Sequence, residues 1–383
     1  MGERGIVESK NRIAESKNRE EKDSMRIEKH GEGQDENGND ERGSIRLLKR
    51  VAPEISGLLE KRYDILRVVR HNQPIGRRLL SEQLAIGERV VRGEVEFLKN
   101  RQLLTSDAAG VSLTEECEKL LPELAGLVHE FRGLAFLENF LQNKIGLTKV
   151  CIVPGDLDEQ SMNMRELGKA AGKYLVQIVE DNWVIAVSGG TTMAEVARQI
   201  PPTHGKRGIL VVPARGGLGE VVEIQSNTIA ARIARGLGGN YRLLYVPDAI
   251  SEEALENFVH DHKILETINL AKKANLLLHG IGVAKMMAAR RELDWQSLLL
   301  RARKLPVGEA FGYYFAEDGS VAVTAPTVGP RLEELSQFKQ VVAVAGGKSK
   351  ARAILAVLKA GFIKTLITDE GAAEVMREIL EDG

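Results

Sequence analysis

Residues Trp183–Ile200 read WVIAVSGGTTMAEVARQI. Trp183–Val187 is an apolar run with the length and β-branched content of a strand buried on both faces. It breaks at Ser188-Gly189-Gly190-Thr191-Thr192, and helical spacing resumes with Met193, Val196, Ala197 and Ile200. A strand, a glycine loop and a helix N-terminus in succession suit a phosphate. Glycines let backbone N–H groups approach the anion, the first helical amides lack partners, and the helix dipole favours negative charge. Thr191 and Thr192 add hydroxyl donors. An ordinary tight βα turn capped by threonine would read the same way, so the stretch alone leaves two readings open. A second copy tilts the choice. Residues 341–358, VVAVAGGKSKARAILAVL, repeat the pattern with strand Val341–Ala345, loop Gly346-Gly347-Lys348-Ser349-Lys350 and then a helix. Two such loops in one domain point to a phosphorylated ligand carrying one phosphate or two.

Working outward, strand and helix alternate from Thr148 onward. Apolar strands are expected at Val150–Val153, Val184–Val187, Ile209–Val212, Leu243–Val246, Leu276–His279, Val341–Ala345 and Thr365–Ile367. Helices are expected at Arg165–Glu180, Met193–Ile200, Ser226–Leu237, Lys263–Ala274 and Lys350–Leu358. Short apolar strands separated by helices imply an α/β fold with a doubly wound, mainly parallel sheet over residues 143–383. Ligands of such sheets bind at the C-terminal strand ends, where both glycine loops fall. Arg215, in Pro213-Ala214-Arg215-Gly216-Gly217-Leu218-Gly219, leaves another strand end with the planar fork that suits a phosphate. Gln225 opens the next helix within reach of the same anion or a hydroxyl. His279-Gly280-Ile281-Gly282 reads as a backbone approach point. Glu309, between glycines in Val307–Gly312, is either an acceptor for sugar hydroxyls or a solvated turn residue.

Residues 45–115 form a separate, locally basic unit. Ala52-Pro53-Glu54 opens a helix with Ile55, Leu58, Leu59, Ile65, Leu66 and Val69 at helical spacing. After the breaker His71-Asn72-Gln73-Pro74 comes a short helix with Leu79, Leu80 and Leu84, a glycine turn Ile86-Gly87-Glu88, and a helix from about Arg89 to Asn100. Short helix, turn and second helix is the helix-turn-helix signature. Leu103–Thr105 and Val111–Thr114 then read as two strands of a wing. A three-helix bundle that docks to a protein is the competing reading. The cluster Arg77, Arg78, Arg89, Arg92, Lys99 and Arg101, with the wing in its proper place, favours DNA. Arg89 and Arg92 would face base edges with Glu88 beside them, and Arg77 and Arg78 would meet backbone phosphates.

Between the two units, residues 116–142 read as a connecting helix. Cys117, Leu120, Leu124, Leu127, Phe131 and Leu134 follow the a/d rhythm of a dimerising coiled coil, interrupted by Pro122, Gly126 and Gly133. A helix packed on the next domain is the alternative. Residues 1–44 are polar, rich in glycine and charge, and repeat ESKNR at Glu8–Arg12 and Glu15–Arg19. So little apolar surface cannot offset ordering entropy, and a disordered tail is expected, with Met25 an alternative start.

Composition excludes several function classes. The 383 residues carry 53 Lys+Arg against 54 Asp+Glu, a net charge of −1, so any nucleic-acid surface must be local. Cys117 and Cys151 lie in different segments and suit a reduced, cytoplasmic protein. No apolar run approaches the roughly 20 residues of a membrane span, and the charged N-terminus is no signal peptide. The Gly347-Lys348 pair is no Walker loop, because Val342 stands where the first glycine belongs. No Gly-x-Gly-x-x-Gly follows the first strand, so a dinucleotide is not expected. His260-Asp261-His262 is the densest possible metal set, but adjacent helical residues point apart; no metal or cofactor is expected. No nucleophile elbow, catalytic carboxylate pair or Cys/His pair appears.

A winged helix-turn-helix followed by SGGTT, PARGG, a Gln-Ser-Asn helix start, a Gly-Glu turn and AGGKSK resembles the SorC family of sugar-binding bacterial regulators. The likeness covers about residues 45–383. It implies a repressor of an operon of lower-glycolytic enzymes, induced by fructose 1,6-bisphosphate. It also implies an effector domain of the Rossmann-like phosphosugar-isomerase type, similar to glucosamine-6-phosphate deaminase and ribose-5-phosphate isomerase. Carried onto this chain, the effector contacts are Ser188, Gly189, Gly190, Thr191, Thr192, Arg215, Gln225, Glu309, Gly347 and Lys350. Members of that family often carry Asp where Glu309 stands, a shorter carboxylate. The partners implied are double-stranded operator DNA, a phosphorylated sugar and further copies of the chain, as dimer or tetramer. Two other functions fit the same loops: a phosphosugar isomerase or deaminase with an appended DNA-binding-like module, and a regulator that answers a sugar monophosphate. An enzyme would also need a positioned acid or base, and the sequence offers none.

Overall fold

The computed structural model describes residues 45, 47–159, 161–203, 206–217, 221–247 and 261–382. The expected tail at 1–44, the end of the PARGGLG loop and His260 lie outside the described residues.

The N-terminal unit is built from α1 (Glu54–Asn72), α2 (Arg77–Leu84), α3 (Glu88–Asn100), β1 (Leu104–Ser106) and β2 (Val111–Leu113). The two strands pair antiparallel, Leu104 opposite Leu113, and Ile75 bridges to Val111 as a third piece of the wing sheet. Ile65, Leu66, Val69, Leu80, Leu84, Val91, Val95 and Leu98 share one core with Leu104 and Val111. Leu79, Leu80 and Leu84 lie on the short helix as expected, with Leu79 48% exposed. A two-turn helix buries only one stripe, and Leu80 and Leu84, four apart, take it.

The connecting segment differs from a single coiled-coil helix. It divides into α4 (Glu115–Phe131) and α5 (Leu134–Ile145) at Arg132-Gly133, where Gly133 adopts φ +72°. The stripe that is buried also differs from the a/d rhythm: Cys117, Leu121, Val128 and Phe131 point inward, while Leu120 and Leu127 are exposed. α5 buries Leu134, Leu137 and Leu141 against the large sheet, so it is part of the effector unit.

Among the described residues that sheet has seven strands, in the order β3 (Lys149–Val153), β13 (Thr365–Asp369), β12 (Gln340–Val344), β7 (Leu276–Gly280), β4 (Val184–Val187), β5 (Leu210–Pro213) and β6 (Asn240–Tyr241), every neighbouring pair parallel. In chain order its elements are β3 (Lys149–Val153), α6 (Ser161–Ile178), β4 (Val184–Val187), α7 (Thr191–Gln199), β5 (Leu210–Pro213), α8 (Ser226–Gly236), β6 (Asn240–Tyr241), α9 (His262–Lys272) and β7 (Leu276–Gly280). Then follow β8 (Gly282–Val283), α10 (Ala284–Arg290), α11 (Trp295–Arg301), β9 (Pro306–Ala310), β10 (Tyr313–Ala316), β11 (Val321–Thr324), β12 (Gln340–Val344), α12 (Ala351–Lys359), β13 (Thr365–Asp369) and α13 (Glu370–Asp382). Alternate strand residues serve opposite faces. Ala186, Leu277 and Ala343 join the core that holds α5, α12 and α13, while Val187, Leu278 and Val344 join that of α6, α7 and α8.

Two features depart from the strand pattern of the sequence. Residues 243–246 are not a strand; the edge strand is Asn240–Tyr241. The Asn227 amide takes both backbone groups of Leu244, donating to its carbonyl at 3.0 Å and accepting from its N–H at 2.9 Å, which replaces a ladder. Between β7 and β12 the chain also builds a four-stranded antiparallel sheet, β11-β10-β9-β8, with no counterpart in the sequence pattern. Gly308 brings this sheet onto α12; a Cβ there would stand 2.5 Å from the Ala353 carbonyl. No helix among the described residues is long and apolar enough to cross a membrane.

Candidate effector cleft and DNA-reading helix

A cleft of about 490 Å³ opens at the C-terminal ends of β4, β5 and β7. Of the ten sequence-derived effector residues, nine line it: Ser188, Gly189, Gly190, Thr191, Thr192, Arg215, Gln225, Glu309 and Lys350. Gly190 holds φ +118°, a conformation that L side chains rarely adopt, and donates its N–H to the Ile224 carbonyl at 2.8 Å. That geometry turns the chain directly from β4 into α7. Among the described residues no side chain caps α7 at Gly190 or α8 at Gln225, and both helix starts lie on the cleft wall. Two uncapped helix N-termini aimed at one cavity give it a positive potential without any side chain. Ser226 fixes the Arg215 backbone by donating its hydroxyl to the Arg215 carbonyl at 2.9 Å.

Glu309, buried at 3% exposure, is structurally tied. Its Oε1 accepts from Arg291 Nη2 at 2.6 Å, Arg215 Nη1 at 3.1 Å and the Gly312 N–H at 2.7 Å. Burial alone would raise its pKa, but the Arg291 and Arg215 guanidiniums and the Gly312 N–H outweigh that and hold it below the usual carboxylate range. It is therefore an ionised acceptor that orients Arg215 in the cleft, and no solvated turn residue.

The second glycine loop differs from the first. Lys350 reaches the cleft, but Gly347 does not line it. The Gly347 N–H donates to Asp369 Oδ1 at 2.9 Å, the Lys348 N–H to Asp156 at 3.4 Å and the Ser349 N–H to Asp158 at 2.8 Å. Carboxylates of the chain itself occupy the amides that a phosphate would use. Burial and the neighbouring Arg290 lower the Lys350 pKa. Arg290 was not singled out in the sequence, yet it stands on the cleft wall with Met286 and Met287. Its signal was there: the tandem Arg290-Arg291 ends the helix that leaves the β7 exit loop. His279 behind the cleft is wholly buried, with Nδ1 bonded to the Gly280 carbonyl at 3.0 Å and its ring 4.3 Å from that of Phe311.

In the N-terminal unit, Arg77, Arg78, Glu88, Arg89 and Arg92 are all exposed, at the starts of α2 and α3. Arg78 pairs with Glu82 at 3.2 Å and Arg92 with Glu88 at 3.7 Å. Such exposed i,i+4 pairs are weak and yield readily to a phosphate or a base edge. Lys99 and Arg101 are turned to other partners, Glu96 and the Phe97 ring.

Residues 58–128 match the CggR N-terminal DNA-binding domain family, and residues 129–377 match a family of sugar-binding domains. The junction falls just before the break between α4 and α5. Over 342 residues the chain is 42% identical to the central glycolytic genes regulator of Priestia megaterium (strain DSM 319 / IMG 1521), covering 89% of this chain and 99% of that one. The chain belongs to the SorC family of sugar-binding transcriptional regulators. The central glycolytic genes regulator of Bacillus subtilis (strain 168) is 41% identical over 330 residues, 86% of this chain and 97% of that one. A SorC family transcriptional regulator from Enterococcus faecalis superposes with a TM-score of 0.59 at 40% identity, covering 63% of this chain and 99% of that structure. Like other SorC-family members, the chain joins a DNA-binding domain to a sugar-binding domain and is a regulator, not an enzyme. Operator DNA and a sugar are the two ligands of the chain.

Proposed function

We propose that this SorC-family chain is a repressor of a glycolytic operon, released from its operator by fructose 1,6-bisphosphate. The observation that carries the ligand class is the meeting of two uncapped helix N-termini with Arg215, Arg290 and Lys350 in one cleft. Helix termini and Lys350 suit one phosphate, and the spread of cations toward Arg290 leaves charge for a second. The name carried by the Priestia and Bacillus relatives supports the glycolytic assignment. The repressor works as a homo-oligomer, dimer or tetramer, because a helix-turn-helix reads two half-sites through two copies of its recognition helix. It uses no cofactor.

The sugar controls transcription only if it binds the DNA-competent and released arrangements with different affinities. By reciprocity, operator DNA weakens sugar binding by the same factor that sugar weakens operator binding. The test titrates fructose 1,6-bisphosphate, and fructose 6-phosphate beside it, into the full chain with and without saturating operator. Bisphosphate should bind more tightly than monophosphate, and its curve should shift to weaker binding with operator present. Equal affinity for the two sugars would replace the bisphosphate by a monophosphate effector; superimposed curves with and without DNA would remove the coupling.

A further inference from the structure

The turn between β3 and α6, residues 154–159, touches both halves of the molecule. On one side Asp158 grips the second glycine loop: Oδ2 accepts the Ser349 N–H at 2.8 Å and Oδ1 the Ser349 hydroxyl at 3.2 Å. The fit is close. Gly347 sits at φ +98°, and a Cβ there would stand 2.6 Å from Asp158 Oδ1. The carboxylate thus fills a donor set of the kind that holds phosphate in a βα glycine loop. Asp156 and Asp369, which hold the neighbouring amides, are buried at 5% and 0% exposure, whereas Asp158 and Ser349 are both exposed. Asp158 is therefore the carboxylate that can leave without exposing a core.

On its other side the same turn meets the DNA-binding unit. The Pro154 carbonyl accepts from Arg67 of α1 at 3.4 Å, and Arg67 is itself buried at 3% exposure. The Gly155 N–H donates to Glu370 Oε2 at 2.8 Å. That same oxygen takes Arg132 at 2.7 Å, and Arg132 reaches Glu60 and Asp64 of α1 at 3.4 and 3.6 Å. One and a half turns into α6, Glu166 meets His71 of α1 at 2.5 Å. Six residues therefore join the effector loop to the helix on which the reader is built.

We propose that Asp158 is a built-in anion that latches the second glycine loop in the ligand-free regulator. A phosphorylated effector displaces it, loosening the 154–159 turn against α1. This rests on the sugar-phosphate reading of the cleft. Lys350 links cleft and latch: it lines the cleft and directly follows Ser349, whose N–H Asp158 holds at 2.8 Å, so Arg290 and Asp158 both act on its charge. A phosphate dianion drawn to Lys350 and Arg290 repels the Asp158 carboxylate and competes with it for the same cation. The energy of that competition reaches α1 through the described residues 154–158, whose Pro154 carbonyl meets Arg67 and whose Gly155 N–H shares Glu370 with Arg132.

The test uses the full chain with Asp158→Asn, Ser349→Ala and the double variant. Operator affinity is measured by fluorescence anisotropy on a duplex selected from a random library by the wild type. Affinity for fructose 1,6-bisphosphate is measured by calorimetry. Asp158→Asn should bind bisphosphate about three- to tenfold more tightly, the worth of one hydrogen bond, and bind operator more weakly without sugar. Ser349→Ala should move both in the same directions, and the double variant should go no further than Asp158→Asn alone. Asp158→Asn with wild-type operator affinity in the absence of sugar, and wild-type thermal stability, overturns the latch. That arm contains no sugar, so it reads the latch even if the wild type proves indifferent to bisphosphate, a result that would sink the effector assignment instead.

Discussion

The Arg291 guanidinium meets Glu309 Oε1 at 2.6 Å with the two residues 5% and 3% exposed, so the wall of the cleft rests on a buried ion pair. Removing one member of such a pair costs more than the pair contributes, because it strands a charge in a poorly solvated site. Glu309→Gln should lower stability by about 3–5 kcal/mol. Denaturant unfolding checks this. An unchanged midpoint at unchanged slope would mean that Arg291 finds another anion.

Arg215 is the cation of this network that lines the cleft. Arg215→Ala should weaken fructose 1,6-bisphosphate binding by about 1.5–3 kcal/mol, the worth of a charged hydrogen bond. The fold should survive, since Arg291 and the Gly312 N–H still satisfy Glu309. Calorimetry that returned wild-type affinity would take Arg215 out of the site.

DNA reading and DNA attraction should separate. Arg92 lies exposed on the first turns of α3, where a recognition helix meets base edges, so Arg92→Ala should relax sequence preference. Arg77 lies exposed at the start of α2, the helix that crosses the DNA backbone in this motif, so Arg77→Ala should weaken all duplexes alike and reduce the salt slope by about one. Operator and random duplexes titrated at several salt concentrations read both effects. If neither variant changed affinity or slope, the winged domain would not be the DNA-binding surface.

His279 predicts an acid limb of stability. Burial pushes its pKa down from 6.5 to about 4, so the folded protein keeps it neutral. Between pH 6.5 and 4 the unfolded chain binds a proton that the folded chain refuses. Stability should therefore fall with falling pH by up to about 1.4 kcal/mol per unit from this group. Below about pH 4 both states are protonated and the loss stops growing. His279→Gln should flatten this part of the profile relative to wild type. Parallel profiles would place the acid sensitivity elsewhere.

What could be read directly from the chain was local. Trp183–Ile200 needs only its own residues to become strand, glycine turn and helix, because the apolar period and Gly190 act within a few positions. The same holds for α2, α3 and the wing, where Leu80, Val91 and Val95 recur at helical spacing beside turn residues. Most cleft residues were legible for the same reason: in a parallel α/β sheet, the loops leaving strand C-termini converge whatever else the chain does.

What only the tertiary structure decided lies in long-range pairings. Asp158 meets Ser349 across 191 residues, and Arg132 meets Glu370 across 238. Nothing near either partner announces the other. The second glycine loop looks on paper like the first, and only folding shows its amides filled by Asp156, Asp158 and Asp369. In the sequence Glu309 reads as either a hydroxyl acceptor or a solvated turn residue; the approach of Arg291 and Arg215 makes it a buried ion. The connecting helix broke at Gly133 because the large sheet offered Leu134, Leu137 and Leu141 a burial site that one straight helix could not reach. A sequence fixes the period of its own apolar residues, but the partner of a charge is set by which distant segment the fold brings beside it.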